Sequence, residues 1–216
     1  MDPTEILELF DEQMRPHGLG RGEHYTMVFR PPADGDVEAL VAQLREQTGY
    51  AEWKYYEHDG PTLAERLRAA GLEPGEQETV LVAEAASIPP PPADLDLRED
   101  AGVFVELARR VFGRGHGSIP ENAVAVVAYV DGQPVSGGRV DLDPGVAFAG
   151  LFGGVTVPEF RGRGLYRATV GRRAELAREA GYRWLYVDAL PTSRPILERL
   201  GFVPITTTTP FVCPHA

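Results

Sequence analysis

The stretch that decides the fold is "GGVTVPEFRGRGLYRATV", residues Gly153 to Val170. It opens as a predicted strand, which Pro158 ends because proline has no N–H for a ladder. Gly162 and Gly164 follow. Lacking a Cβ, they let the backbone turn sharply and come within hydrogen-bond reach of an anion. Beyond them Val170, Ala174 and Ala177 stripe one face of a helix that Gly181 closes. Strand, glycine turn and helix are therefore contiguous.

That position gives the turn its chemistry. Peptide N–H groups at a helix start have no intrahelical acceptor, and the macrodipole adds roughly half a positive charge there. Arg161 and Arg163 can add charge-assisted contacts. The turn is no P-loop, since Leu165-Tyr166 stand where Lys and Ser or Thr are required. Asp188 lies about 20 residues on, where a dinucleotide fold keeps its ribose ligand. Such a fold, however, places its fingerprint after the first strand of the domain, whereas this strand returns from a series of hairpins. A basic turn that merely caps a helix is the plainer alternative.

Working outward, Phe104, Leu107, Ala108 and Val111 have helical spacing, and "AVAVVAYVDGQPVSGGRVDL" reads as a hairpin turning at Asp131-Gly132. "VAFAGLFGGVTV" is the next return. After the central helix come a strand, "YRWLYVDAL", a short helix from about Thr192 to Leu200 stopped by Gly201, and a last strand, "FVPITTTTPFV". The run Thr206 to Thr209 reflects the preference of β-branched residues for a pleated surface. Hairpins followed by a crossover predict a mixed α/β, largely antiparallel sheet flanked by helices.

Upstream, Pro89 to Pro92 read as a linker, which divides the chain into residues 1–88, 89–94 and 95–216. The first part reads β-α-β-α-β: "EHYTMVFRPP", a helix with Val37, Leu40, Val41 and Leu44 inward, "AEWKYYEH", a helix from Pro61 to Ala70 closed by Gly71, and "ETVLVAE". "WKYYEHDGPTLAERLRAAGLEP", from Trp53, echoes "WLYVDALPTSRPILERLGFVP", from Trp184. Pro61-Thr62 matches Pro191-Thr192, and Gly71 and Pro74 match Gly201 and Pro204. A duplicated supersecondary unit leaves this kind of trace. Trp53 and Trp184 themselves are read as core aromatics.

The whole chain narrows the options. Over 216 residues the net charge is −11, which argues against phosphate-backbone binding and hence against nucleic acid partners. No apolar run approaches the ~18 residues of a membrane span. "MDPTEILELFDEQMR" has Ile6, Leu9 and Phe10 at amphipathic spacing but no secretory pattern, so a cytoplasmic location is expected. The single cysteine, Cys213, excludes an internal disulfide and is read as a small residue, not a nucleophile. His17, His24, His58, His116 and His215 have no metal-ligand spacing, so no metal is expected.

With these residues in view, "VTVPEFRGRGLYRATV" resembles the GNAT superfamily of acyltransferases, whose pattern is a strand, Pro, then R-x-x-G-x-G/A at a helix start. Arg161 and Gly164 match the first two fixed positions, while Tyr166 replaces a small residue at the third. Leu200-Gly201-Phe202 resembles a later family element. The resemblance spans about Leu95 to Ala216, and the N-terminal part looks like a partial copy without the glycine turn.

The resemblance implies acetyl transfer from acetyl-CoA to an amine, on a small molecule or a peptide, by direct attack. Arg161, Gly162, Arg163, Gly164, Leu165 and Tyr166 would hold the pyrophosphate. Val155 and Val157 would contact the pantetheine, on a strand splayed from residues Tyr182 to Ala189. The family's frequent tyrosine acid falls at Leu197, and no glutamate base stands in "VAFAGLFGGVTV". Asp188 is then the candidate base, through water, with Tyr166 and Ser193 as candidate partners of the departing thiolate. A coenzyme A-binding module that has lost catalysis stays as the alternative.

Overall fold

Asp2 starts the first helix. Its carboxylate accepts from Thr4 N at 2.9 Å while its own N–H donates to Glu5 at 3.1 Å, a capping box for α1 (Pro3–Met14), which buries Ile6 and Phe10. The computed structural model describes residues 2–21, 25–31, 35–47, 50–113 and 119–213, which fall into two units. The first comprises residues 1–80, 188–192 and 204–216; the second comprises 81–187 and 193–203.

In the first unit β1 (Gly18–Arg21) is antiparallel to β2 (Tyr25–Arg30). The Asp36 carboxylate caps α2 (Val37–Arg45) by accepting from Ala39 N at 2.9 Å, and β3 (Tyr50–Tyr56) then runs parallel to β2. Next come α3 (Pro61–Ala69) and the short β4 (Glu73–Pro74). β5 (Glu78–Glu84) carries the chain into the second unit. One core holds Val28, Val37, Leu44, Trp53, Leu67 and Phe211. Because side chains alternate along a strand, Trp53 enters this core while Glu52, Lys54 and Tyr56 share the opposite face of β3.

In the second unit β6 (Asp96–Glu99) precedes α4 (Ala101–Phe112), which the Asp100 carboxylate caps through Val103 N at 2.9 Å. The hairpin of β7 (Ala123–Val130) and β8 (Gln133–Asp141) turns at Asp131 and Gly132, whose φ of 51° and 74° suit a type I′ turn. β9 (Phe148–Thr156) follows, then α5 (Leu165–Glu179), β10 (Trp184–Ala189), α6 (Arg194–Glu198) and β11 (Val203–Val212). The ladders β6-β7-β8-β9 are antiparallel and β9-β10 is parallel, the mixed sheet that the sequence predicts. Alternate residues of β7 face opposite ways. Ala125, Val127 and Tyr129 meet Phe104 and Leu107 of α4, and Ala128 packs with Val135 and with Leu165 of α5.

Several features were not anticipated. β1, β4 and β6 have four residues or fewer, too short for a period to show. The amphipathic spacing at the N-terminus does form a helix, α1. Pro89 to Pro91 lie inside the second unit against α5, where their backbone comes within 2.8 Å of the place a Cβ on Gly171 would occupy. The units divide at Val80/Leu81, because β11 returns to pair with β3 and β4.

The two echoing segments share their local structure. Each runs strand, helix, then a glycine with positive φ, at Gly71 (79°) and Gly201 (100°). Leu72 N donates to Leu67 O at 3.0 Å and Phe202 N to Leu197 O at 3.1 Å, the same helix-closing bond.

β11 registers Phe211 against Trp53, so the strand that ends the chain depends on partners near its beginning. A fragment starting at Pro89 would leave that ladder unpaired, and an unpaired apolar edge associates with other chains. The expected result is aggregation on size-exclusion chromatography. A monomeric, cooperatively unfolding 89–216 fragment would contradict it.

Candidate functional site

β9 is where the second unit opens. Its pairing with β8 slips between Gly137 and Arg139, so that Gly153 and Gly154 together oppose Gly138. This is a β-bulge, and Gly153 has the φ of 62° that a residue without a Cβ adopts at little cost. On its other side β9 pairs with β10 only from Phe148↔Trp184 to Gly150↔Tyr186. From Leu151 to Thr156 that side of β9 has no ladder.

Backbone groups alternate in direction along a strand. Val157 donates to Val135 O at 2.9 Å and accepts from Phe160 N at 2.9 Å, while Val155 O accepts from Ser136 Oγ at 2.8 Å. Val157 thus turns its N–H and Val155 its carbonyl to β8, the Val157 carbonyl closes the following turn, and both side chains enter the core. The groups on the open side are those of Gly154 and Thr156. This corrects the expectation that Val155 and Val157 present them.

The strand leads directly into the glycine turn. Gly162 and Gly164 have φ of 76° and 78°, and a Cβ on either would point into open space. Gly164 is the N-cap of α5 and no side chain caps it. The first bond closing the helix runs from Ala168 N to Gly164 O at 3.0 Å, so the N–H groups of Leu165, Tyr166 and Arg167 have no acceptor within the helix. Arg161 Nε donates to Thr156 O at 3.3 Å, and Arg163 lies over the Phe160 ring at 4.8 Å. An exposed, uncapped helix start with two arginines beside it has the donors and charge that a di-anion requires.

The other expected residues have their own partners. Tyr166 lays its ring against Gly154, and its phenol is pushed up by burial while Arg173 pulls it down. Ser193 precedes α6, where its carbonyl accepts from Ile196 and Leu197. Leu197, where the resemblance expects a tyrosine, is fully buried. Burial pushes the Cys213 thiol up, against the pull of Arg45, which disfavours the nucleophilic thiolate. His58 bonds Asp11 and Thr206, and His17 bonds Pro31 O; His24, His116 and His215 lie outside the described residues. Among the described residues no His, Cys, Asp and Glu group has the arrangement of a metal site.

Asp188 belongs to a buried polar group in the first unit. Its Oδ2 is ion-paired with Lys54 Nζ, and its Oδ1 is buried without a hydrogen-bond partner. Beside Lys54 on β3, Glu52 accepts from the Tyr50 hydroxyl. Burial works against the Lys54 charge, but Asp188, then Tyr56, Glu52 and Glu78, raise its pKa overall. Glu78, on β5, is pushed up by burial to about 7, with Lys54 opposing and Asp188 and Glu52 assisting. Sequence reasoning passed over Lys54 and Glu78. Their only signal was a charge alternating with aromatic residues in "EWKYY" and an acid opening an apolar strand.

No family model matches the sequence, and no curated protein matches it. Solved structures do match. A GCN5-related N-acetyltransferase from Kribbella flavida superposes with a TM-score of 0.68 at 16% identity, over 99% of this chain and 95% of that one. The fold is that of the GCN5-related N-acetyltransferases. A second such protein, from Sphaerobacter thermophilus, gives a TM-score of 0.58 at 16% identity, over 87% of this chain and 71% of the other. A tandem GNAT protein of the clavulanic acid biosynthesis pathway gives 0.59 at 14% identity, over 89% and 76%.

The Glu78 carboxyl holds its proton more tightly folded, at about 7, than at its ordinary value of 4.5. Between those pH values the folded chain keeps a proton that the unfolded chain has released. The stabilisation is therefore complete below 4.5 and is lost as pH rises to about 7. Glu78→Gln should be more stable than wild type at pH 8, by on the order of 2 kcal/mol, with a much smaller gain at pH 5. Urea unfolding at both pH values checks this; equal gains would count against it.

Proposed function

We propose that this chain is an acyl-CoA-dependent N-acyltransferase, moving an acetyl group from acetyl-CoA to an amine by direct attack in a ternary complex. One observation carries the reading: the open edge of β9 is followed, after a single 3-10 turn at Pro158–Phe160, by the uncapped start of α5. A cosubstrate with hydrogen-bonding amides in its arm and a pyrophosphate at its head matches that order of groups. Gly154 and Thr156 would pair with the pantetheine amides. The turn from Arg161 to Tyr166 would take the pyrophosphate, through its N–H groups and the two arginines.

The amine nitrogen attacks the thioester carbon, and the carbonyl electrons move onto oxygen, where a backbone N–H on the open edge stabilises the charge. Collapse breaks the C–S bond, and the thiolate leaves and takes up a proton. The amine must first be neutral, whereas an alkyl ammonium holds its proton near pH 7. Asp188, with one oxygen unsatisfied, is the group we assign to that proton. Asp188 lies two residues beyond Tyr186, the last β10 residue paired with β9. Ser193 remains the hydroxyl assigned to the departing sulfur. The acceptor amine is carried by a small molecule or a peptide.

A second reading is favoured by Leu197, whose apolar, fully buried side chain removes the usual acid. In that case the protein binds coenzyme A without turning it over. Tight calorimetric binding of acetyl-CoA with no acetylation across a panel of amines would establish it.

Gly164→Val puts a β-branched residue at a φ of 78° and a side chain where the phosphate should approach. Acetyl-CoA affinity should fall at least tenfold, with the circular dichroism spectrum retained. Unchanged affinity would remove the turn from the site.

For the proton transfer, Asp188→Asn should lower kcat by on the order of 10²-fold while acetyl-CoA affinity stays near wild type. Full turnover in that variant would reject the assignment.

A further inference from the structure

Arg173 is a charge where helix packing calls for none. Its side chain is 1% exposed, on the inner face of α5 among Val170, Ala174 and Ala177. Its Nε donates to Thr169 O at 3.0 Å and its Nη1 to Arg139 O at 3.2 Å, whereas Nη2 makes no hydrogen bond of ordinary geometry. Tyr166 and Asp141 offset its charge. A methionine or leucine would fill similar space without desolvating a cation, so packing alone does not account for this residue.

Its surroundings do. A Cβ on Gly138 would fall 2.6 Å from the guanidinium carbon of Arg173, and a Cβ on Gly154 would fall 2.7 Å from the Tyr166 ring. Gly138 is the one β8 residue opposing the bulge, and Gly154 is the second bulge residue. A Cβ on Gly153 would meet the Phe104 ring of α4 at 2.8 Å, so the bulge is packed from both faces of the sheet. Three glycines make room for three large side chains, and two of those side chains belong to α5. Arg173 thereby ties α5 to β8 at the place where β9 leaves its ladder.

We infer that Arg173, acting with Tyr166, is a positioning residue that fixes the open edge of β9 relative to the start of α5, and so sets the spacing between the pantetheine and pyrophosphate ends of the cosubstrate site. The inference rests on the acyl-CoA reading above. Neither side chain needs to touch the cosubstrate. The guanidinium acts through two carbonyls, and Tyr166 acts through its ring on Gly154 and through its hydroxyl, which offsets the Arg173 charge.

The test separates the two ends of the ligand. Coenzyme A spans the edge and the turn, whereas ADP offers a pyrophosphate to the turn alone. Binding of both is measured in the full-length wild type, in Arg173→Met and in Tyr166→Phe, by calorimetry for coenzyme A and by NMR titration for ADP. Arg173→Met should weaken coenzyme A roughly tenfold and ADP by less than about twofold, and Tyr166→Phe should shift coenzyme A in the same direction by less. If Arg173→Met does not fold, Tyr166→Phe carries the comparison. Equal weakening of both ligands, or no change in either, overturns the positioning role. A wild type that binds ADP but not coenzyme A overturns the acyl-CoA reading itself, and this inference with it.

Discussion

Two residues facing one, Gly153 and Gly154 against Gly138, set the form of the second unit. A regular antiparallel ladder would keep β9 straight and let it continue beside β10. The extra residue bends it and re-aims its backbone groups, and the parallel pairing ends at Gly150↔Tyr186. A strand edge left unpaired is ordinarily a liability. Here the edge passes through a turn at Pro158–Phe160, whose backbone groups are bonded, into a glycine turn and a helix start that is also unsatisfied, so two sets of open backbone groups follow each other in the chain. The glycines on both strands are the condition for this, because α4 and α5 place side chains where any Cβ would stand.

Charge is handled in the same way in both units, by burial with a limited set of partners. In the second, Arg173 is held by carbonyls and by Tyr166 and Asp141. In the first, Arg15 is buried against Asp11 and Asp59 and lies 3.9 Å over the Tyr56 ring. Lys54 is buried against Asp188 within the same unit. Removing one member of such a set leaves its partner as an uncompensated buried charge, which is far more costly than the pair is favourable. Within the Lys54 group the carboxylates outnumber the ammonium, and the excess negative charge helps burial to hold the Glu78 proton near neutrality. Proton chemistry at that position follows from placement and not from any unusual residue type.

The relation to solved acetyltransferase structures is one of architecture. At 14–18% identity the shared property is the arrangement of strands and helices. At the position where the resemblance expects a tyrosine, Leu197 is a side chain that belongs to the core.

The sequence alone determined the features that depend on neighbours in the chain. The glycine turn, the stop at Pro158, the hairpin at Asp131-Gly132 and the helix closures at Gly71 and Gly201 each rest on bonds spanning only a few residues, so local patterns disclose them. The uncapped start of α5 was legible for the same reason. Only the tertiary structure decided which face of β9 is open, since a one-residue bulge reverses the direction of every backbone group beyond it and Val155 and Val157 have no local mark of that reversal. It alone placed β11 against β3, brought Lys54 to Asp188 from 134 positions away and set Arg173 beside Gly138. Those contacts join residues that are remote in the chain, and their energies come from burial, which no window of sequence contains.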